Sequence, residues 1–281
     1  MPISLCQQTA LLRRACSAPQ RVLRVQPRAT ASVVAAAGSA SHVLYTVPVS
    51  NFGARPRLVL LWKGIPATEV EVASPQALGG LKSAEYLALN PQGKMPLLRL
   101  PDGTALFESE VIVSYLLDVF SGRGPSLLPD TPAARARTQL LTRLHDVYLA
   151  PHQPAMYKAM EAAPRAASLG ELSAQLDILE SMLHATGPYS AGPQLSTADA
   201  ALFPTFVFYT TILPAVYSWQ DIFMKRPRLA RWWAAMCKEP SAAAVKADIE
   251  AGLQKWKDDD RWGKARRVVC FIAASTNAHH I

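Results

Sequence analysis

From Ala200 to Gln220 the chain carries no charged side chain. Such a run is long enough to cross a bilayer, for which about 20 apolar residues suffice. Pro204, Pro214 and the polar Thr210-Thr211 pair argue against a span, and so does the Ser196-x-x-Asp199 capping box just upstream. The better expectation is a helix apolar on every side, which other helices must enclose. The surrounding sequence fits. Thr131-Pro132 starts a helix with proline at its first position. Ser168 and Glu171 read as a second capping box ahead of Leu172, Leu176, Leu179 and Leu183, and Pro227 opens a further helix. Nothing beyond residue 130 alternates as a strand does. An all-helical C-terminal domain is therefore expected over 130–256, behind a Gly/Pro-containing linker at 122–129.

The front half has a different period. His42–Val47 reads as a strand with Val43, Tyr45 and Val47 on one face, followed by a loop over 48–53. A helix with Leu58, Leu61 and Trp62 on one side ends at Gly64. Thr68–Val72 alternates as a second strand, and a short helical piece covers roughly Gly80–Leu89. Leu97–Leu100 and Ala105–Phe107 are two more strands joined at Asp102-Gly103. Ile112, Tyr115, Leu116 and Val119 then recur as a helix face. The order βαβαββα predicts a mixed sheet with helices on both faces, as in thioredoxin-like folds. The fold class is α+β/α in two domains: a thioredoxin-like N-terminal domain over 40–121 and the helical domain behind it.

The 29 basic and 21 acidic residues give a net charge of +8. No Asp or Glu precedes Glu69, whereas Arg13, Arg14, Arg21, Arg24 and Arg28 crowd the front. Without residues 1–39 the balance is 24 against 21, or +3. The excess charge belongs to the leader, and no basic patch interleaved with aromatics speaks for a nucleic-acid partner. Residues 1–39 are rich in Arg, Ser and Ala, which is the composition of an organelle transit peptide. Ala35-Ala36-Ala37 offers small residues for cleavage. A chloroplast is the expected destination, with the mitochondrion or cytosol as alternatives. Cys6, Cys16, Cys237 and Cys270 have neither CxxC nor metal-ligand spacing, so neither a disulfide framework nor a metal is expected.

The chemistry is concentrated in Asn90-Pro91-Gln92-Gly93-Lys94-Met95-Pro96-Leu97-Leu98 and, after the hairpin, Glu108-Ser109-Glu110-Val111-Ile112. Pro96 has no N–H, so at a strand start it leaves a neighbouring backbone group free for a ligand. Together the two stretches resemble the glutathione site of the soluble glutathione S-transferases. The resemblance covers about His42 to Trp256. It implies a cis Met95–Pro96 bond and backbone pairing between Met95 and the tripeptide. It also implies that Glu108 and Ser109 hold the γ-glutamyl end and that Lys94 and Lys82 face carboxylates. It places a capped core helix at the centre of the helical domain, which gives Ser196 and Asp199 structural roles. A homodimer with glutathione as co-substrate is implied too.

Activating a thiol means stabilising its thiolate, because a free thiol has a pKa of about 8.5. A hydroxyl at a helix N-terminus does so through a hydrogen bond and the positive end of the helix dipole. Ser50 stands where such a hydroxyl is needed, between the first strand and the first helix. Ser50-Asn51-Phe52-Gly53-Ala54-Arg55 resembles the Ser-Pro-Phe-Gly-x-Arg pattern of serine-type plant members. Thr46 and Tyr45 are the fallback hydroxyls. No cysteine lies near this loop, which disfavours the thiol-transfer chemistry of cysteine-type members. Two departures stand out: Asn51 replaces the usual proline, and Pro56 replaces the usual valine where it can shift the helix start and the reach of Ser50.

An electrophile pocket is expected between the domains, with Phe52, Tyr148, Met156 and Tyr157 as its candidates. The expected activity is conjugation of a Ser50-stabilised glutathione thiolate to hydrophobic electrophiles, with reduction of organic hydroperoxides beside it. The alternatives are a non-catalytic carrier of hydrophobic ligands on the same fold, or a glutathione-dependent isomerase or dehalogenase. Residues 257–281 run past the expected domain end.

Overall fold

The computed structural model describes residues 41–262. The expected leader over 1–39, with Cys6 and Cys16, and the tail from residue 263, with Cys270, lie outside the described residues.

Four short strands make one sheet: β1 (His42–Tyr45), β2 (Val70–Ala73), β3 (Leu97–Arg99) and β4 (Ala105–Phe107), in the order β2-β1-β3-β4. β2 is parallel to β1, while β3 is antiparallel to both β1 and β4. Alternation sends Val43 and Tyr45 to one face, where they pack with Leu78, Tyr86 and Leu97. Leu44 and Leu98 go to the other face and join the main core. That second face is covered by α1 (Asn51–Trp62) and α3 (Ser109–Val119); the first carries a 3₁₀ turn at Pro75–Leu78 and α2 (Ala84–Leu89). Leu58 and Trp62 of α1 are buried as expected, but Leu61 is exposed. On α3, Ile112 and Leu116 are buried while Val119 faces outward.

The remainder is helical: α4 (Pro132–Leu144), α5 (Ala162–Met182), α6 (Thr197–Tyr217), α7 (Pro227–Lys238) and α8 (Pro240–Asp258). The charge-free run is α6, and it is a core helix, buried along most of its length. Its capping box is formed: Asp199 accepts from the Ser196 backbone N–H and hydroxyl, both at 2.9 Å. Asp199 also accepts from the Ser190 backbone N–H and the Trp232 indole N–H, both at 2.8 Å. One fully buried carboxylate thus ties the α6 start to α7 and to the turn before it.

Three sequence expectations are corrected. Ser168 and Glu171 do not cap a helix, because α5 begins six residues earlier at Ala162. Ser168 instead pairs with His152, and Glu171 accepts from Gln175 one turn on. Pro56 does not move the start of α1, which begins at Asn51 with Ser50 as its N-cap. Packing also continues past the expected domain end, since α8 runs to Asp258 and Trp262 is buried.

Between α4 and α5 the helical path changes pitch twice, through a π turn (His145–Leu149) and a 3₁₀ stretch (Ala150–Met156). This irregular segment lies against the start of α1, as the side-chain contacts below show.

Candidate active site

The sheet's registry assembles the site. Tyr45 on β1 pairs with Leu97 on β3, and Leu97 pairs with Phe107 on β4. β1 leaves that row toward Thr46–Ser50, β3 enters it from Met95-Pro96, and β4 leaves it into Glu108-Ser109. Antiparallel pairing therefore brings three loops, distant in sequence, to one end of the sheet. The N-termini of α1 and α3 begin from two of those loops, so the positive ends of two helix dipoles are presented there.

At the first N-terminus, Ser50 Oγ accepts the Gly53 N–H at 3.0 Å. That bond uses a lone pair and leaves the hydroxyl proton available to a third partner. The turn sits close on the sheet: a Cβ at Gly53 would lie 1.7 Å from Thr46 Oγ1. Only glycine permits that approach. Thr46 is buried and its hydroxyl has no partner among the described residues.

The second N-terminus is held differently. Glu108 precedes α3 with φ +70° and ψ 116°, a conformation rare for a residue with a side chain, and no side chain caps the helix. The first N–H groups of α3 are therefore open to an anion. Ser109 is buried at the first helical position.

The third loop carries the cis Met95–Pro96 bond. Its preceding carbonyl, on Lys94, accepts from the Tyr86 hydroxyl at 2.7 Å and from Asn90 Nδ2 at 2.8 Å. Burial pushes Tyr86 up to about 12, so its hydroxyl stays protonated as the donor. Asn90 also accepts the Gln92 N–H at 3.1 Å, closing the turn it begins. Lys94 and Lys82 are exposed, with Lys82 Nζ lying over Gly93. Tyr86, Asn90 and Gly53 shape the site without standing out individually in the sequence, although the Asn-Pro-x-Gly turn marks Asn90.

The candidate electrophile residues sit in different surroundings. Tyr148 is half exposed and Met156 is fully buried, so Met156 packs the core and does not present its thioether to a ligand. Tyr157 meets Trp256 edge-on at 5.3 Å between ring centres and lies 6.3 Å from Phe208. Phe52 stands edge-on to His145 at 6.0 Å. A cleft of about 290 Å³ is lined by Thr46, Val47, Leu60, Leu61, Val70 and Val72 among others; its wall includes the fallback hydroxyl Thr46 but not Ser50, Met95, Glu108, Ser109 or either lysine.

A polar seam runs from α1 into the helical half. Arg55, 1% exposed, forms ion pairs with Asp146 and, at 3.3 Å, with Glu110, and touches His145 Nδ1 at 3.0 Å. His145 Nδ1 lies 2.8 Å from Asp146 and its Nε2 lies 2.7 Å from Thr205 Oγ1. Burial pushes His145 below its usual value, with the Asp146 hydrogen bond working against that shift. Burial alone would raise Asp146. Hydrogen bonds from His145 and Arg55, with the Arg55 charge, outweigh it and hold the carboxyl well below the usual range. Glu110 is pushed up by burial, against Arg55.

A small mixed sheet with a two-helix N-terminal site, followed by a bundle around one apolar helix, is the architecture of a two-domain glutathione-using transferase. The family model for the glutathione S-transferase N-terminal domain matches residues 44–124, and that for the C-terminal domain matches 160–235. A probable glutathione S-transferase BZ2 of Zea mays is 33% identical over 220 residues, spanning 73% of this chain and 90% of that protein. Glutathione S-transferase 3 of Zea mays is 29% identical over 218 residues, spanning 73% and 93%. In fold the chain is similar to glutathione transferase F7 of Populus trichocarpa, with a TM-score of 0.62, 24% identity, and 74% and 99% of the two chains covered. The chain belongs to the glutathione S-transferase family and is a glutathione transferase.

Proposed function

We propose that the enzyme holds glutathione at the sheet end and that the Ser50 hydroxyl hydrogen-bonds its thiolate, which then attacks a hydrophobic electrophile. The observation that supports this reading is the state of Ser50: its oxygen caps α1 while its proton remains free to donate. The uncapped start of α3, with Glu108 and Ser109, suits the γ-glutamyl carboxylate and ammonium. Lys82 and Lys94 suit the glycyl carboxylate, and Met95 offers its backbone N–H and C=O. In conjugation the sulfur forms a bond to carbon and the leaving group departs with its electron pair. With an organic hydroperoxide the sulfur takes the outer oxygen, the O–O bond breaks, and the alkoxide gains a proton from solvent. A second glutathione then resolves the sulfenic acid to disulfide and water.

The same proposal carries the organisation of the chain. Residues 1–39 act as a transit peptide to the chloroplast, 122–129 link the two domains, and the working unit is a homodimer. Import of a reporter carrying residues 1–39 into isolated chloroplasts, and a sedimentation mass of the trimmed protein, test these points. For the chemistry, turnover of a chloronitroaromatic with glutathione should fall about 100-fold or more in Ser50→Ala, the scale of losing one donor to a developing anion. Unchanged turnover would refute the role of Ser50.

The apolar cleft beside α1 favours a second reading, in which the fold carries a hydrophobic ligand. Ligand binding that is retained in Ser50→Ala and lost on charging the cleft, as in Leu61→Asp, would speak for it.

A further inference from the structure

Asn51 and Arg55 are four residues apart and share the face of α1 turned to the helical half. Asn51 Nδ2 donates to Gln153 Oε1 at 2.7 Å and to Thr205 Oγ1 at 3.0 Å. Gln153 comes from the 3₁₀ stretch, Thr205 from α6, and both are buried. The first turn of α1 is thus gripped on both sides, with Gly53 against Thr46 of the sheet and Asn51 and Arg55 against the irregular segment. The resemblance drawn from the sequence puts proline where Asn51 stands, and a proline has no side-chain donor, so this link belongs to this chain's own residue. The contact is not redundant on the Gln153 side. Gln153 Nε2 is buried with no partner among the described residues, so the Asn51 amide holds Gln153 alone. Thr205, by contrast, also meets His145.

We infer that Asn51 and Gln153 are positioning residues, which fix the first turn of α1 so that the Ser50 hydroxyl and the helix N-terminus stay aimed at the glutathione sulfur. The inference rests on the proposed role of Ser50. Neither side chain needs to touch the substrate. Letting the turn drift lengthens the Ser50–sulfur hydrogen bond, and the thiolate then loses stabilisation while the rest of glutathione keeps its contacts at α3 and the lysines.

The test is the pH profile of kcat, with glutathione and a chloronitroaromatic, for Asn51→Ala, Gln153→Leu and the double variant of the full chain. Gln153→Leu removes the bond and the orphaned donor together at similar volume, so it should fold. Each single variant should raise the bound thiol's pKa by about one unit, a tenfold loss of kcat below it that vanishes at high pH. KM for glutathione should stay within about twofold, and the double variant should be no worse than Asn51→Ala alone, since that change already removes the contact to Gln153. Gln153→Glu, which keeps the acceptor for Asn51, should restore most of the activity. A lowered melting temperature with a superimposable pH profile, or multiplying effects in the double variant, would overturn the inference. A Ser50→Ala control separates the two claims. If Ser50→Ala shifts the thiol pKa and these variants do not, only the positioning role fails; if Ser50→Ala does not shift it, both fail.

Discussion

The two helices that point at the sheet end differ in how their first turns are finished. α1 is capped by its own Ser50, packed by Gly53 against Thr46, and gripped through Asn51 and Arg55. α3 is entered through Glu108 at φ +70° and left without a side-chain cap. A capped N-terminus has spent part of its donor capacity, and what remains is a directed hydroxyl, which suits one soft sulfur anion. An uncapped N-terminus offers several backbone N–H groups at once, which suits a carboxylate. On the proposed reading, two like helix dipoles serve the two ends of one ligand, and the loop before each helix decides which.

The sharpest way to break this comparison is Ser50→Gly. Glycine is a tolerable N-cap, so stability should fall by only a few tenths of a kcal/mol, against about 1 kcal/mol for alanine. Turnover should nevertheless drop about 100- to 1,000-fold in both variants. A melting curve beside a rate measurement separates capping from catalysis, and activity surviving in Ser50→Gly would reduce Ser50 to a cap.

Next in size is Gly53→Ala. Its Cβ would collide with Thr46 Oγ1, so the first turn must move, at a cost of about 1–3 kcal/mol of stability by denaturant melt. If Thr46→Ser is combined with it, the hydroxyl stays and the clash should persist. Thr46→Ala removes the oxygen but leaves the Thr46 Cβ at 2.9 Å, so it should recover only part of the loss.

On the α3 side, Glu108→Gly should act in the opposite sense on stability. It relieves a strained φ and stabilises by roughly 1 kcal/mol. Glutathione KM should rise about tenfold as one charge-assisted contact is lost. A stability gain with unchanged KM would mean that the strained conformation serves the fold and not the ligand.

The smallest effect lies in the acid limb of stability. His145 has its folded pKa below its unfolded value of about 6.5, so the unfolded chain binds the extra proton and stability falls as pH drops below that value. Asp146 is depressed, so its contribution is present above about pH 4 and is lost as pH falls further. Glu110, raised by burial, opposes this by favouring the fold at lower pH. Asp146→Asn should flatten the limb below about pH 4 in denaturant titrations, since it removes the depressed group.

The sheet end was legible in the sequence because each part is local. A cap residue before a helix, a Met-Pro step into a strand, and a Glu-Ser helix start are patterns spanning a few residues, and strand order then puts them side by side. α6 was legible for a similar reason, because a charge-free helix has few places to go but a core. The seam was not. Asn51, Glu110, His145, Gln153 and Thr205 come from five segments, and no spacing announces that their side chains meet. The misreading of Ser168 and Glu171 has a related cause: Ser-x-x-Glu marks a helix start only where the backbone before it is non-helical, and here α5 already runs through it. For Tyr148 and Met156, spacing does not report which way a π turn and a 3₁₀ stretch rotate their side chains, one half exposed and the other fully buried.

The most direct measurement is the ultraviolet thiolate band of bound glutathione, titrated with pH in the wild-type chain and in Ser50→Gly. With the Ser50 hydroxyl in its proposed role, the thiolate should form near neutral pH in the wild type and move toward the free-thiol value of about 8.5 or above in the variant, with glutathione still bound. A thiolate that forms at the same pH in both proteins would contradict it.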